Sequence, residues 1–217
     1  MISERTFISN QEGSSIYYES PDGLILGFTN NKLDFKRENM VVSAARLRES
    51  FPIPPITLLT QEHTNIILDL RSPIFNEERV FSSSDIALFA SPADGVIVSL
   101  RNLASFSYGI KTADCLPIFI GNGNNFALLH AGWRGLAAGI IRRAAVALGD
   151  NSSYYAVIGP AAGPTNYYVG IEVVEKIGES TVYHSTAKKD KYLLDLAGTA
   201  EAQLKHYFNP QKIEKIN

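Results

Sequence analysis

The sequence predicts an α+β fold: a single layered domain over residues 1–217, with mixed β-sheets packed against helices. Three observations predict it. Short apolar, β-rich runs interleave with a few longer helix-like segments. Many connections between successive strand-like runs are too short to hold a crossover helix, which argues against a doubly wound parallel sheet. No repeat, low-complexity tract or long linker divides the 217 residues, enough for one domain with a real core.

Taken in order, residues 14–31 read as two short strands, SSIYYES and LILGFT, joined by the turn Pro21-Asp22-Gly23. Glu38 to Phe51 reads as a helix with Val41, Val42, Ala45 and Leu47 on a partly apolar face, stopped by Pro52, Pro54 and Pro55. Ile56 to Leu59 and Asn65 to Leu70 read as strands flanking Gln61-Glu62-His63, and residues 71–91 as a polar surface excursion. Four apolar runs follow: Gly95 to Leu100, Phe106 to Lys111, Leu116 to Ile120 and Phe126 to His130, the last two joined by the hairpin turn Asn122-Gly123-Asn124-Asn125. Trp133 to Leu148 reads as one helix, Tyr154 to Ile158 as a strand ended by Gly159-Pro160, and Ile171 to Ile177 and Leu194 to Phe208 as helices.

Composition excludes several classes of partner. The net charge of −2 and pI near 6.1 give no electrostatic footprint for nucleic acid or an anionic membrane. No apolar stretch approaches the roughly 20 residues that span a bilayer. The N-terminus is mixed and polar, without the basic and apolar regions of a signal peptide, and the expected compartment is the cytoplasm. A single cysteine rules out an intramolecular disulfide.

That cysteine, Cys115, ends Thr112-Ala113-Asp114-Cys115 between two strand runs, and His130-Ala131-Gly132-Trp133-Arg134-Gly135 lies between a strand and a helix. The intervening hairpin returns the chain, so Cys115 and His130 are expected to meet at one sheet edge. A Cys and a His brought together serve either as a thiolate–imidazolium nucleophile pair or as metal ligands. His63, at the mouth of a strand, supplies a third donor and favours the metal. Two His and one Cys leave a tetrahedral position open, the pattern of a catalytic zinc site. Arg134, in the first turn of the expected helix, is placed to clamp an anion beside the helix N-terminus.

At these residues the sequence resembles a family. TADCLPIFI followed by HAGWRGLAAGI, then IGPAAGPTNYYVG and KYLLDL, is similar to the laccase-domain, or YfiH-like, proteins, first named multicopper polyphenol oxidoreductases. The resemblance runs from about residue 24 to residue 206 and includes the Gln61-Glu62-His63 segment. It implies that His63, Cys115 and His130 ligate zinc, with copper the alternative ion. It further implies phosphorolysis of adenosine, inosine, guanosine or methylthioadenosine, and deamination of adenosine. The chain departs from the family pattern at Gly27-Phe28-Thr29-Asn30-Asn31, where an arginine and paired glycines are usual, and at Tyr168, where Glu is usual. It also ends at Asn217, before a terminal segment the family carries.

The expected roles are therefore these. His63, Cys115 and His130 bind the metal. Cys115, His130, Arg134 and Asp114 carry the catalysis, with Asp114 orienting a ligand or moving a proton. Arg134 and Tyr167 bind a purine nucleoside and phosphate. Asp94 and Asp195 are secondary acid candidates that read chiefly as residues capping or bridging secondary structure, and His184 and His206 read as surface residues. A monomer or weak homodimer is expected. Three other readings stand beside this one: a copper-dependent polyphenol oxidase, a metal-free Cys–His hydrolase editing peptidoglycan precursors, and a non-catalytic binding protein. The four histidines are too few for a multicopper cluster with its electron-entry site.

Overall fold

The computed structural model describes residues 5–10, 13–19, 25–29, 33–36, 38–51, 53–71, 79–100, 107–149, 154–208, 210 and 212–216. An antiparallel hairpin sheet comes first, of β1 (Arg5–Asn10), β2 (Gly13–Glu19) and β3 (Ile25–Phe28). β2 and β3 answer to the two expected strands; Pro21-Asp22-Gly23 and Asn30-Asn31 lie outside the described residues. α1 (Met40–Ser50) then leads to β4 (Ile56–Thr60), β5 (Ile67–Asp69), β6 (Arg79–Ser82), β7 (Ile86–Pro92), β8 (Gly95–Ser99) and β9 (Ser107–Gly109). The central hairpin is β10 (Leu116–Gly121) and β11 (Asn125–Ala131). After it come α2 (Trp133–Ala137), α3 (Ile140–Leu148), β12 (Tyr155–Ile158), β13 (Tyr168–Val169), α4 (Ile171–Ile177), β14 (Tyr183–Ser185), β15 (Tyr192–Leu194), α5 (Leu196–Phe208) and β16 (Lys212–Lys215).

Two mixed sheets make the body of the fold. The larger runs β16-β12-β10-β11-β8-β5, antiparallel through its centre with a parallel pair at each edge. The smaller runs β6-β7-β4-β9, with β4 parallel to both of its neighbours. Side-chain period two explains how they stack. Leu116, Ile118 and Ile120 of β10, Ala127 and Leu129 of β11, and Ala156 and Ile158 of β12 join one core with Leu136, Ile140, Ile141, Ala144, Ala200 and Leu204 of the helices. The alternate residues Phe119, Phe126, Val157, Val96 and Val98 face a second core with Leu59 and Phe89 of the smaller sheet. Leu58, Ile56 and Ile86, on the far side of that sheet, pack on Met40 and Ala44 of α1. The layers are helices, sheet, sheet, helix. Strands buried on both faces read as continuous apolar runs, as these do. The expected α+β class, with mixed sheets packed on helices, is what forms.

Three local expectations are corrected. The excursion expected over residues 71–91 holds strands β6 and β7, with Ile86 fully buried; residues 72–78 lie outside the described set. The short strand pair is hidden by the polar turn Ser82-Ser83-Ser84-Asp85 inside it. The helix expected over Trp133 to Leu148 is two helices, broken where Gly139 takes φ +78°, a conformation that glycine adopts without a Cβ clash. In α1 the buried residues are Met40, Ser43 and Ala44, while Val41 and Val42 are exposed. Among the described residues no helix is long and apolar enough to cross a membrane.

Candidate metal centre

The central hairpin positions two of the three expected ligands. Leu116 pairs with Ala131 and Pro117 with His130, so Cys115, one residue before the ladder, stands at the same end of the sheet as His130. His63 reaches that end from the loop between the two sheets, three residues beyond the end of β4 and four before β5. One imidazole nitrogen each of His63 and His130 and the Cys115 Sγ lie within 4.8 Å of one another, and the two rings meet edge to face with their centroids 4.9 Å apart. No other group of His, Cys, Asp or Glu among the described residues is so arranged. The three sites differ in access: His130 is buried, Cys115 half-buried and His63 exposed. The cluster is thus rooted in the core and open on its His63 side.

Asp94, in the turn between β7 and β8, holds this arrangement. Its side chain is fully buried. One oxygen, Oδ1, lies 2.7 Å from His130 Nδ1 and accepts the His63 backbone N–H at 3.0 Å. The other, Oδ2, accepts from the Thr64 N–H at 2.6 Å, the Thr64 hydroxyl at 2.8 Å and the Glu62 N–H at 3.2 Å. Burial alone would raise this carboxyl, but the hydrogen bonds from His130, Thr64 and Glu62 outweigh it and hold it below the ordinary aspartate range. An ionised carboxylate only accepts, so His130 Nδ1 carries the proton and Nε2 keeps its lone pair for a ligand. The same bonds stabilise the loop at His63, whose φ of +60° is a left-handed conformation that costs a non-glycine residue about 1–2 kcal/mol.

Glycine makes the space. A Cβ on Gly132 would fall 2.6 Å from Cys115 Sγ and 3.7 Å from His63 Cδ2, so any larger residue intrudes on the donors. Gly135 is close as well: its Cβ would meet the Thr64 carbonyl at 3.3 Å.

The electrostatics favour a cation. Burial pushes the Cys115 thiol up, the charges of Asp114 and Asp94 push it further, and Arg134 opposes them. Burial pushes the His130 imidazole below its ordinary value, against the pull of Asp94. Both directions favour the neutral thiol and the neutral imidazole over a thiolate–imidazolium pair. Two imidazole nitrogens and a cysteine sulfur are a donor set that suits a borderline divalent ion, so the residues present fit a metal.

The remaining expected residues lie around this centre unevenly. Arg134 is exposed, its guanidinium 4.4 Å from the centroid of the Trp133 ring. Its helix, α2, has five residues, so the extended helix dipole expected behind it is absent; the Lys176 ammonium lies over the same ring, 5.8 Å from its centroid. Asp114 is exposed, and its backbone carbonyl accepts the Ala162 N–H at 3.1 Å. Tyr167 is half-buried; burial raises its hydroxyl, and the charges of Cys115 and Asp114 add to the rise while Arg134 opposes it, which puts it in the same electrostatic neighbourhood. Tyr168 is exposed under Lys188, 4.1 Å from the ring centroid. Asp195 caps α5, accepting the Gly198 N–H at 2.8 Å, and His184 and His206 are exposed, as expected. Asp94 is the residue that sequence reasoning undervalued. Between Ala93 and Gly95 it looks like any turn aspartate, and no spacing links it to His63 or His130.

Comparison with known proteins bears on the family and the fold. A family described as multi-copper polyphenol oxidoreductase laccase matches residues 18–215. The chain is 38% identical over 116 residues to the protein named purine nucleoside phosphorylase YfiH in Escherichia coli (strain K12), a match covering 49% of this chain and 46% of that protein. It is 33% identical over 134 residues to a purine nucleoside phosphorylase of Haemophilus influenzae, covering 60% of this chain and 48% of that protein. The matches thus span about half the length of these curated relatives. Among solved structures, the Bacillus licheniformis hypothetical protein YfiH aligns with a TM-score of 0.73 at 18% identity, covering 97% of this chain and 87% of that one. YlmD of Geobacillus stearothermophilus aligns with a TM-score of 0.70 at 21% identity, covering 98% and 88%. These likenesses show a common fold.

Proposed function

We propose, from the premise that the chain belongs to the multi-copper polyphenol oxidoreductase laccase family, that it is a zinc-dependent enzyme of purine nucleosides, built as one domain over residues 1–217. The observation that carries the reading is the His63–Cys115–His130 cluster, with Asp94 fixing the His130 tautomer. The curated relatives named purine nucleoside phosphorylase supply the substrate class: a purine nucleoside and phosphate. Adenosine, inosine, guanosine and methylthioadenosine are the proposed substrates, with deamination of adenosine a second reaction of the same site. A monomer or weak homodimer in the cytoplasm is the proposed working form.

When bound by the three donors, zinc supplies Lewis acidity at the open, His63 side of the cluster. The rest falls to the chain. Arg134 holds phosphate by charge-assisted hydrogen bonds, aimed by its stacking on Trp133. A phosphate oxygen attacks the anomeric carbon while the glycosidic bond breaks, and the bonding pair leaves with the purine. Tyr167 lines the nucleoside's side of the site, and Asp114, exposed beside Cys115, accepts or returns a proton. For deamination, water replaces the C6 amino group of adenosine and ammonia leaves.

A copper-dependent phenol oxidase has the family's description in its favour. Against it, only four histidines are present, and His184 and His206 stand exposed outside the cluster. A Cys–His hydrolase needs a thiolate that burial and the neighbouring aspartates oppose. The test is incubation with adenosine, inosine and methylthioadenosine, with and without phosphate, for wild type and Cys115→Ala. Phosphate-dependent release of free base by wild type alone is expected. Intact nucleosides under every condition would sink the purine reading, and equal rates for both proteins would sink the site.

A further inference from the structure

Three donors form this cluster, but one sheet fixes only two of them. Cys115 and His130 are set against each other by the β10–β11 ladder. His63 lies in the loop from β4 of the smaller sheet to β5 at the edge of the larger, off both ladders, so its distance from each of the other two is set by what holds that loop. Toward His130 it is Asp94, which grips the backbone of residues 62–64 and the imidazole together. Toward Cys115 it is Gln61. The parallel ladder between β4 and β9 ends at Leu58 and Gly109. Past that end the Gln61 carboxamide takes the place of a peptide group: its Nε2–H donates to the Lys111 carbonyl at 2.7 Å, and its Oε1 accepts the Lys111 N–H at 2.7 Å. Gln61 is two residues before His63, and Lys111 is four residues before Cys115.

We infer that Gln61 is a positioning residue: its paired hydrogen bonds to Lys111 set the separation of the His63 and Cys115 donors. The inference rests on the metal reading above. A primary amide both donates and accepts, so on this length of stem it pairs with the C=O and the N–H of the single residue Lys111. Glutamate at this position would set its carboxylate against the Lys111 carbonyl, and asparagine, one methylene shorter, would bridge neither group without moving the loop. The exposed segment of residues 111–114 ahead of Cys115 would then take up a wider range of positions. The hydrogen bonds of the Gln61 carboxamide go to the Lys111 backbone and not to a donor atom of the cluster.

The test compares wild type with Gln61→Ala and Gln61→Glu, since Gln61 is only half-buried and its loss leaves the core intact. Zinc affinity is measured by competition with a chromogenic chelator. The cobalt-substituted proteins are examined for the thiolate-to-metal absorption band, and the metal-free proteins for their melting temperature. Both variants are expected to lose about ten- to a hundredfold in zinc affinity, the range usual for partners that orient ligands. They are also expected to show a weakened or shifted thiolate band, with metal-free melting close to wild type. Wild-type zinc affinity and an unchanged cobalt spectrum in both variants would overturn the inference, whether or not melting falls. If wild type itself binds neither ion, the metal reading fails and takes the inference with it.

Discussion

The Asp94 carboxylate receives the His130 Nδ1–H at 2.7 Å and, on the same oxygen, the His63 backbone N–H at 3.0 Å. One fully buried side chain thereby ties His130 of β11 to the β4–β5 loop that carries His63. Replacing it by an amide keeps the shape but puts a donor where only acceptors are wanted. Asp94→Asn is expected to lower zinc affinity by roughly ten- to a hundredfold. It is also expected to lower folding stability by about 1–3 kcal/mol, the cost of buried groups left unpaired. Chelator competition and denaturant titration check the two effects. Wild-type affinity in the variant would show that His130 needs no such support.

Gly132→Ala puts a methyl group 2.6 Å from Cys115 Sγ. Gly132 has ordinary negative φ, so the backbone tolerates alanine and the clash is with the donor. The variant is expected to fold with a melting temperature near wild type when metal-free, and to retain less than about a tenth of wild-type zinc after dialysis. Full metal occupancy would mean that Cys115 swings clear of the added methyl and still binds.

Arg134→Gln removes the guanidinium without disturbing the core, because the side chain is exposed. Losing a hydrogen bond from a charged group costs about 1.5–3 kcal/mol, roughly ten- to a hundredfold in an equilibrium constant. The expected outcome is a KM for phosphate raised by that factor, with a much smaller change in KM for the nucleoside. An unchanged phosphate KM would remove Arg134 from the anion site.

The C-terminal strand answers to pH through Glu201. Lys205 and Lys215 each donate to its carboxylate at 2.6 Å, and those bonds hold its pKa below the ordinary glutamate value. A depressed folded pKa means that the unfolded chain binds the proton more readily. The stabilisation is therefore complete above the unfolded value near 4.3 and lost as pH falls through the lower folded value. Both lysines are substantially exposed, so solvent screening limits the gain to about 1 kcal/mol or less. Stability of Glu201→Gln is expected to fall below wild type near neutral pH and to converge with it in acid. A constant gap from neutral to acid pH would contradict this.

Much of this molecule is legible in its residues, for reasons particular to each part. The central hairpin is legible because the turn at residues 122–125 is short and both strands are apolar throughout, so Cys115 and His130 come together by local geometry alone. His63 has no such signal: it lies in the loop from β4 to β5, held at the cluster by hydrogen bonds to residues distant in sequence. Asp94 is invisible for the same reason, since its partners lie 30 to 36 residues away in sequence. The break at Gly139 is marked only by one glycine within an alanine-rich helical pattern, which propensity alone reads through. α1 buries Met40, Ser43 and Ala44, and its valines fall off that stripe, so residue type misleads where spacing would not.

The central claim is that His63, Cys115 and His130 together hold one zinc ion. The most direct measurement is metal analysis of protein purified without added metal, for wild type, Cys115→Ala and His63→Ala. The account predicts close to one zinc per wild-type chain and a small fraction of that in either variant. Full occupancy by copper in wild type, or zinc retained at the wild-type level by both variants, would contradict it.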